Sequence, residues 1–252
     1  MPIASLARVL VDGYDLSSRS TSVEVNTDVA TLEWSTLDSL ATNMLPDVPK
    51  SAIMHNGYFT TPNAGELERA FWDNLGSTAN DILVTAVLGT QGAIIPSYTL
   101  ATAFADKLTV KAVAKSLVTA EGNWQSGAAS APMRRGYQLY SGTISATGAK
   151  THVDFSSAGS AGGVAYIHVT AVSGTATGAD VAVQCDDNTS FTSATTLGTL
   201  TFSGNSTTGL QSLSVSLGSG AVDRYLRISC TDLGGATSFY VSVFACVAGV
   251  TY

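Results

Sequence analysis

The β-forming runs of this chain are short, and a turn signal stops each of them. Residues 166–170, 180–184, 213–217, 225–229 and 239–245 are rich in Val, Ile, Thr, Tyr and Phe, and several alternate apolar with polar. Glycine and Asx residues at 159–163, 186–188, 204–205 and 234–235 separate them. A strand alternates its side chains between two faces, and such runs between tight turns read as a β-sandwich. Composition agrees: charged residues are 12% of the chain and hydrophobic ones 45%, with mean hydropathy +0.23. A disordered chain needs the reverse balance.

The N-terminal half is patterned less regularly. Residues 22–27 alternate as a half-buried strand does, whereas 35–56, with Asp38, Pro46, Asp47 and Pro49, read as an irregular loop, strand character resuming over 51–61. Residues 66–75 form the one persuasive helix, with Asn63 and Glu66 as a capping box and Gly76 as its stop. Leu67, Ala70, Phe71 and Leu75 make its apolar stripe. Residues 81–88, 94–102 and 108–118 read as three further strands. Residues 125–132 (Gln-Ser-Gly-Ala-Ala-Ser-Ala-Pro) have linker composition. The expected fold is therefore mainly β: residues 1–130 as a sandwich or barrel with one helix, and residues 131–252 as a second sandwich. The break also implies that a chain ending near Pro132 stands alone.

Several function classes fall away. A net charge of −7 without a basic stripe argues against specific nucleic-acid binding. Cys185, Cys230 and Cys246 are odd in number and form no Cys-x-x-Cys pair, so they read as buried free thiols. The first residues lack a basic segment before an apolar one, so no signal peptide is expected. Glycines and Pro96 interrupt the uncharged stretch 82–105, so no membrane span is expected. No nucleophile elbow, zinc-binding His-Glu-x-x-His or dinucleotide fingerprint occurs, and an enzyme is not expected. His55, His152 and His168 are scattered and read as structural. Asp186, Asp187 and Asn188 are weak candidates for a calcium loop, an Asx-rich turn being the simpler reading. Arg224 and Arg227 read as two guanidiniums on one strand face beside Tyr225, a candidate surface glycan contact. No cofactor is expected.

The order of parts in the N-terminal half resembles the major tail (tail tube) proteins of long-tailed bacteriophages. The resemblance runs through Gly13-Tyr14-Asp15-Leu16-Ser17, the strand at 22–26, the acidic-apolar stretch at 29–37, the Pro46-Asp47-Val48-Pro49-Lys50 segment and Asn56-Gly57-Tyr58-Phe59. The C-terminal half resembles the additional β-sandwich, Ig-like or galactose-binding-like, that some of these proteins carry outward. It does so through residues 162–170, 183–187 and Arg224-Tyr225-Leu226-Arg227. One departure is that Glu33-Trp34-Ser35-Thr36-Leu37 stands where many relatives have a Thr-Thr-Phe-Gly-like segment.

The resemblance implies a structural virion protein made in the host cytoplasm and built into the tail. It would stack in hexameric rings, meet other tail proteins and pass double-stranded DNA without specific binding. The inter-ring loop would hold Leu40, Met44, Pro46, Asp47, Pro49 and Lys50. Glu24, Asp28 and Glu33 are candidates to line the lumen, with Asp12, Asp15, Asp81 and Asp106 in the wider set. The alternative is a carbohydrate-binding or capsid decoration protein acting through the C-terminal sandwich on a cell-surface glycan.

Overall fold

The computed structural model describes residues 6–34, 43–58, 67–74, 82–89, 94–114, 116–127 and 133–250. The chain is mainly β. Its N-terminal half holds β1 (Leu6–Val11), β2 (Tyr14–Asp15), β3 (Ser20–Trp34), β4 (Asn43–Tyr58), α1 (Leu67–Asn74), β5 (Ile82–Gly89), β6 (Pro96–Lys111) and β7 (Thr119–Ser126). Then come β8 (Arg134–Ile144), β9 (Gly148–Ala149), β10 (Val153–Asp154) and β11 (Gly163–Asp186). The last strands are β12 (Thr195–Asn205), β13 (Gln211–Ser216), β14 (Tyr225–Asp232) and β15 (Ala236–Val247). All pairings among them are antiparallel.

Strand β6 is the branch point. One of its edges carries β5, then β1 and β2. Its other edge carries β7 along residues 103–111 and β8 along residues 96–99. Past β7 lie β4 and β3; past β8 lie β15 and β11.

Strand β11 belongs to two sheets. Its first part pairs with β13 and β15, its second with β12 and β14. The runs expected as separate strands at 166–170 and 180–184 are therefore one bent strand. Gly174 (φ +80°) and Gly178 (φ +75°) sit at its register shifts, where glycine turns the chain without ending the ladder.

Two apolar cores lie on either side of the β7–β8 passage. The first gathers Val9, Val11, Leu16, Ile53, Phe71, Val84, Leu100 and Trp124; the helix closes it through Ala70 and Phe71. The second fills the C-terminal sandwich, with Ile167, Val181, Leu200, Leu226, Phe239 and Val243 among its members. Between them runs a seam: Leu10 and Val87 meet Phe244, and Leu83 meets Tyr166 and Cys246. Strand β5 is thus buried on both faces, which is why its sequence, Thr85 aside, is apolar rather than alternating.

Three expectations need correction. The loop read over 35–56 is a strand from Asn43 onward. Residues 43–51 of β4 pair with β3 alone, so Pro46 and Pro49 lie on a stretch without a second strand partner, on either side of a register shift. A missing amide hydrogen is tolerated at such edges and bulges. The strand read over 108–118 stops at Lys111, and residues 112–118 are the connection to β7. Finally, 94–102 and the beginning of 108–118 belong to a single strand, β6. The expected helix appears as α1; its proposed caps Asn63, Glu66 and Gly76 lie outside the described residues.

Candidate functional site

Alternation on β3, β4, β7 and β6 divides this sheet into an apolar and a polar face. Val23, Val25, Ile53, Ala120 and Trp124 turn toward the core. The opposite face is ordered by register. Glu24 lies across from Met54, Met54 from Asn123, and Asn123 from Lys107; Ser22, Asn56, Glu121 and Thr109 form a neighbouring row. Side-chain hydrogen bonds tie the rows together. Asn26 donates to Glu24 (2.9 Å), while Asn123 (2.9 Å) and Gln125 (2.8 Å) donate to Asp106. Glu24 and Asp28 are exposed on this face, and Lys50 stands opposite Asp28. The face is an open polar wall, suited to contact a large surface rather than to enclose a small molecule.

The inter-ring residues are brought together in part. Met44, Pro46, Asp47, Pro49 and Lys50 all lie on β4, and Glu33 lies opposite Met44 on β3. They belong to a two-stranded ribbon that runs roughly 30 Å beyond the sheet at ~3.4 Å per residue. Leu40 lies outside the described residues, as does Asp81.

Asp12 and Asp15 are not on the polar wall, contrary to the wider lumen set. They are held at the seam with the C-terminal half. Ser212 donates to Asp12 (2.6 Å), and the Asp12-Gly13 turn has φ values of +44° and +85°. A Cβ on Gly13 would stand 2.4 Å from the Gln211 nitrogen, so only glycine fits. Arg8 forms an ion pair with Asp15 (2.8 Å) and donates to Ser141 (2.5 Å) and Ser242 (3.4 Å). The Asp15 carboxyl lies below its ordinary range: burial opposes this, but Ser17 and Arg8 outweigh it.

Farther along the seam, His168 Nε2 meets the Thr85 hydroxyl (3.0 Å), which meets Thr99 (3.1 Å). His168 is fully buried, and burial pushes its pKa down to about 3. Residue types alone did not point to this network. The uncharged run of β5 was its only sequence signal, because a strand buried on both sides needs a second layer to cover it.

The C-terminal candidates are engaged with their neighbours. Asp186 accepts from the backbone N–H groups of Asn188 (2.9 Å) and Ser193 (3.0 Å), and Asn188 accepts from Ser190 N–H (3.0 Å). The Asn188 amide chiefly holds the Asp186 carboxyl below its usual range, and a hydrogen bond to Asp186 raises that of Asp187. This is the Asx-rich turn.

The two arginines do not share a face: Tyr225 and Arg227 do, and Arg224 precedes the strand. Arg224 donates twice to Asp154 (2.7 Å each), and its guanidinium lies 5.2 Å from the Tyr225 ring centre. Arg227 donates to Gln184 (2.9 Å) and lies over Phe191 (4.1 Å). Sequence reasoning passed over Phe191; His152, read as structural, packs against both Phe191 and Tyr225. Phe191 sits in a turn at φ +51°, a position without an apolar pattern to announce it.

No family model matches the chain, and no curated protein matches it. Among solved structures, a chain of the virion of the native gene transfer agent particle is 11% identical. It is matched over 50% of this chain and 92% of its own length, with a TM-score of 0.36. A chain of the sheath-tube complex of an extracellular contractile injection system in the extended state is 13% identical (54% and 90%, TM-score 0.40). A chain of the sheath/tube terminator of such a system is 14% identical (54% and 96%, TM-score 0.40).

Proposed function

We propose that this chain is a structural virion protein, the major tail tube subunit of a long-tailed phage, which stacks in rings around the conduit for DNA ejection. The sequence resemblance supports this reading, and the open N-terminal sheet carries it. Strand β3 pairs only with β4 among the described strands, leaving its second edge available to a neighbouring copy. Pairing there in a closed ring would remove the edge, and the polar wall would then face a bore. That wall mixes Glu24, Asp28, Asp106 and Glu121 with Lys50, Lys107 and Lys111, so it offers phosphates no basic track. DNA passes such a surface without specific binding.

In this reading residues 1–130 are the tube unit and residues 131–252 the outward sandwich, and the β3–β4 ribbon is the inter-ring element. The alternative, glycan binding or capsid decoration through the sandwich, is disfavoured because the guanidiniums of Arg224 and Arg227 are already engaged.

Electron microscopy of the purified full-length protein tests the reading. Rings or tubes with an axial channel are expected. Isolated monomers at every concentration, with and without tail-tip proteins, would overturn it.

A further inference from the structure

The first residues of β8 and the chain at the end of β15 border a cavity of about 250 Å³ that opens to solvent. Arg134, Arg135, Gly163, Cys246, Val247 and Ala248 line it. Two glycines let its walls approach each other. A Cβ on Gly136 would stand 2.3 Å from the Ala245 oxygen and 2.6 Å from Cys246 Sγ, and one on Gly163 would stand 2.2 Å from the Cys246 oxygen. Strands β8 and β11 therefore close on the end of β15 from its two edges, over a floor that is small and apolar.

The charge at this place runs against that of the whole molecule. The chain carries 19 acids against 12 Lys and Arg, yet two arginines meet at one cavity. The strands around it bring no carboxylate to neutralise them. Residues 133–153, 155–179 and 233–250 contain neither Asp nor Glu, and these ranges hold β8, the first part of β11 and β15. Residues 94–105, where β6 pairs with Arg134 and Arg135 through Thr99 and Tyr98, contain none either. The ion pairs among the described residues use Arg8, Arg69 and Arg224, and Arg134 joins none of them. Nor do the acidic protons nearby supply a counter-charge. Cys246 packs with Tyr166, and burial pushes the pKa of each up to about 12, with Arg134 acting to lower both. Thiol and phenol are thus neutral at pH 7, and the guanidinium charge is left for a ligand.

We propose that this cavity binds a small organic acid, whose carboxylate meets Arg134 and Arg135 and whose apolar part rests on Cys246, Val247 and Ala248. A guanidinium offers a planar fork of donors that matches a carboxylate, and charge-assisted hydrogen bonds of this kind are the stronger class. The apolar floor favours an acid with a carbon body over a bare inorganic oxyanion, which would leave the floor uncovered. The arginines lie where β8 pairs with β6, whereas the floor belongs to the sandwich. A bound acid therefore touches both halves and stabilises the folded chain by mass action. The site is separate from the polar wall, and the proposal stands whether or not the chain forms rings.

Benzoate is the probe, titrated by calorimetry into the full-length protein, with benzyl alcohol and inorganic sulfate at equal ionic strength for comparison. Benzoate should give a saturable isotherm and raise the urea midpoint. Benzyl alcohol lacks the charge and sulfate lacks the carbon body, so each should bind at least about tenfold more weakly. Arg134→Gln should weaken benzoate by a similar factor. Arg134→Lys should weaken it less, because it keeps the charge and loses only the fork. Arg224→Ala, which removes a guanidinium outside the cavity, should leave the isotherm unchanged.

Arg134 is exposed, so its replacement should leave the fold intact. If a variant fails to fold, the three probes on the wild type still decide. No saturable benzoate binding, or benzyl alcohol or sulfate binding as tightly as benzoate, would overturn the proposal. An isotherm that Arg134→Gln leaves unchanged would overturn it as well.

Discussion

The halves of this molecule differ in what they leave uncovered. Among the described residues, Val29, Tyr58, Trp72, Ile94, Val110, Val113 and Leu117 are the large hydrophobic residues left exposed, and all lie before residue 118. The C-terminal half leaves none of comparable exposure. Its sandwich closes on itself because β11 bends between two sheets and gives both faces of the core a shared strand. The N-terminal half closes one face with α1 and β4 and the other with the C-terminal half, and still presents a ribbon, an open edge and an apolar turn. The C-terminal half finds its cover within the chain, Phe244 and Tyr166 lying against β1 and β5, whereas the N-terminal half leaves apolar groups for partners.

Cutting the chain between the halves should have the largest effect. The composition of 125–132 implies that a chain ending at Pro132 stands alone, but the seam argues otherwise. Removing β8–β15 would uncover Leu10, Leu83, Thr85 and Val87. We expect the fragment to be insoluble or to melt without a cooperative transition. In the full chain, Phe244→Ala should cost about 3–5 kcal/mol and lower the urea midpoint accordingly. A soluble fragment with a sharp transition would show that the seam contributes little.

Legibility in the sequence followed the same division. The C-terminal strands were readable because Gly and Asx residues punctuate them, although the continuity of β11 was not. Positive-φ glycines stop a strand in most settings and bend it in this one. The helix was readable from Ala70 and Phe71. The β4 strand was hidden by Pro46 and Pro49, which read as loop until a two-stranded ribbon gives them an edge. Val113 and Leu117 looked like strand positions by alternation, and only the hairpin register places them in solvent. The seam was least legible, because Arg8, Asp15, Thr85 and His168 come from distant parts of the chain and signal nothing singly.

Acid should weaken both units, by an amount that two histidines set. Burial pushes the pKa of His168 down to about 3 and that of His55 to about 4. Near His168, Asp15 acts to raise the value and Arg8 to lower it. The unfolded chain titrates its histidines near the ordinary ~6.5, so between that value and the folded ones it binds more protons than the folded protein. Stability is therefore complete above about pH 6.5 and declines as pH falls, by ~1.4 kcal/mol per pH unit for each histidine. Urea midpoints measured from pH 7 to 4.5 should show this slope. His55→Gln should remove about half of it, leaving the part from the seam. A flat profile over that range would mean that neither histidine is buried as described.

The smallest effect is expected at Arg224, and it separates a structural surface from a recognition surface. The guanidinium meets Asp154 through two hydrogen bonds, and this contact chiefly holds the Asp154 carboxyl below its ordinary range. Both side chains remain substantially exposed, 47% and 37%, so solvent screens the pair and its loss should hardly move the melting temperature. Arg227→Ala should move it more, because that guanidinium covers the nearly buried Phe191 ring and donates to Gln184. On the proposed tail-protein reading, adsorption to host cells of particles carrying Arg224→Ala provides the second measurement. If the outer sheet is structural, adsorption stays at the wild-type rate. If adsorption drops while melting is unchanged, Arg224 contacts something outside the molecule, and the C-terminal half has a partner beyond this chain.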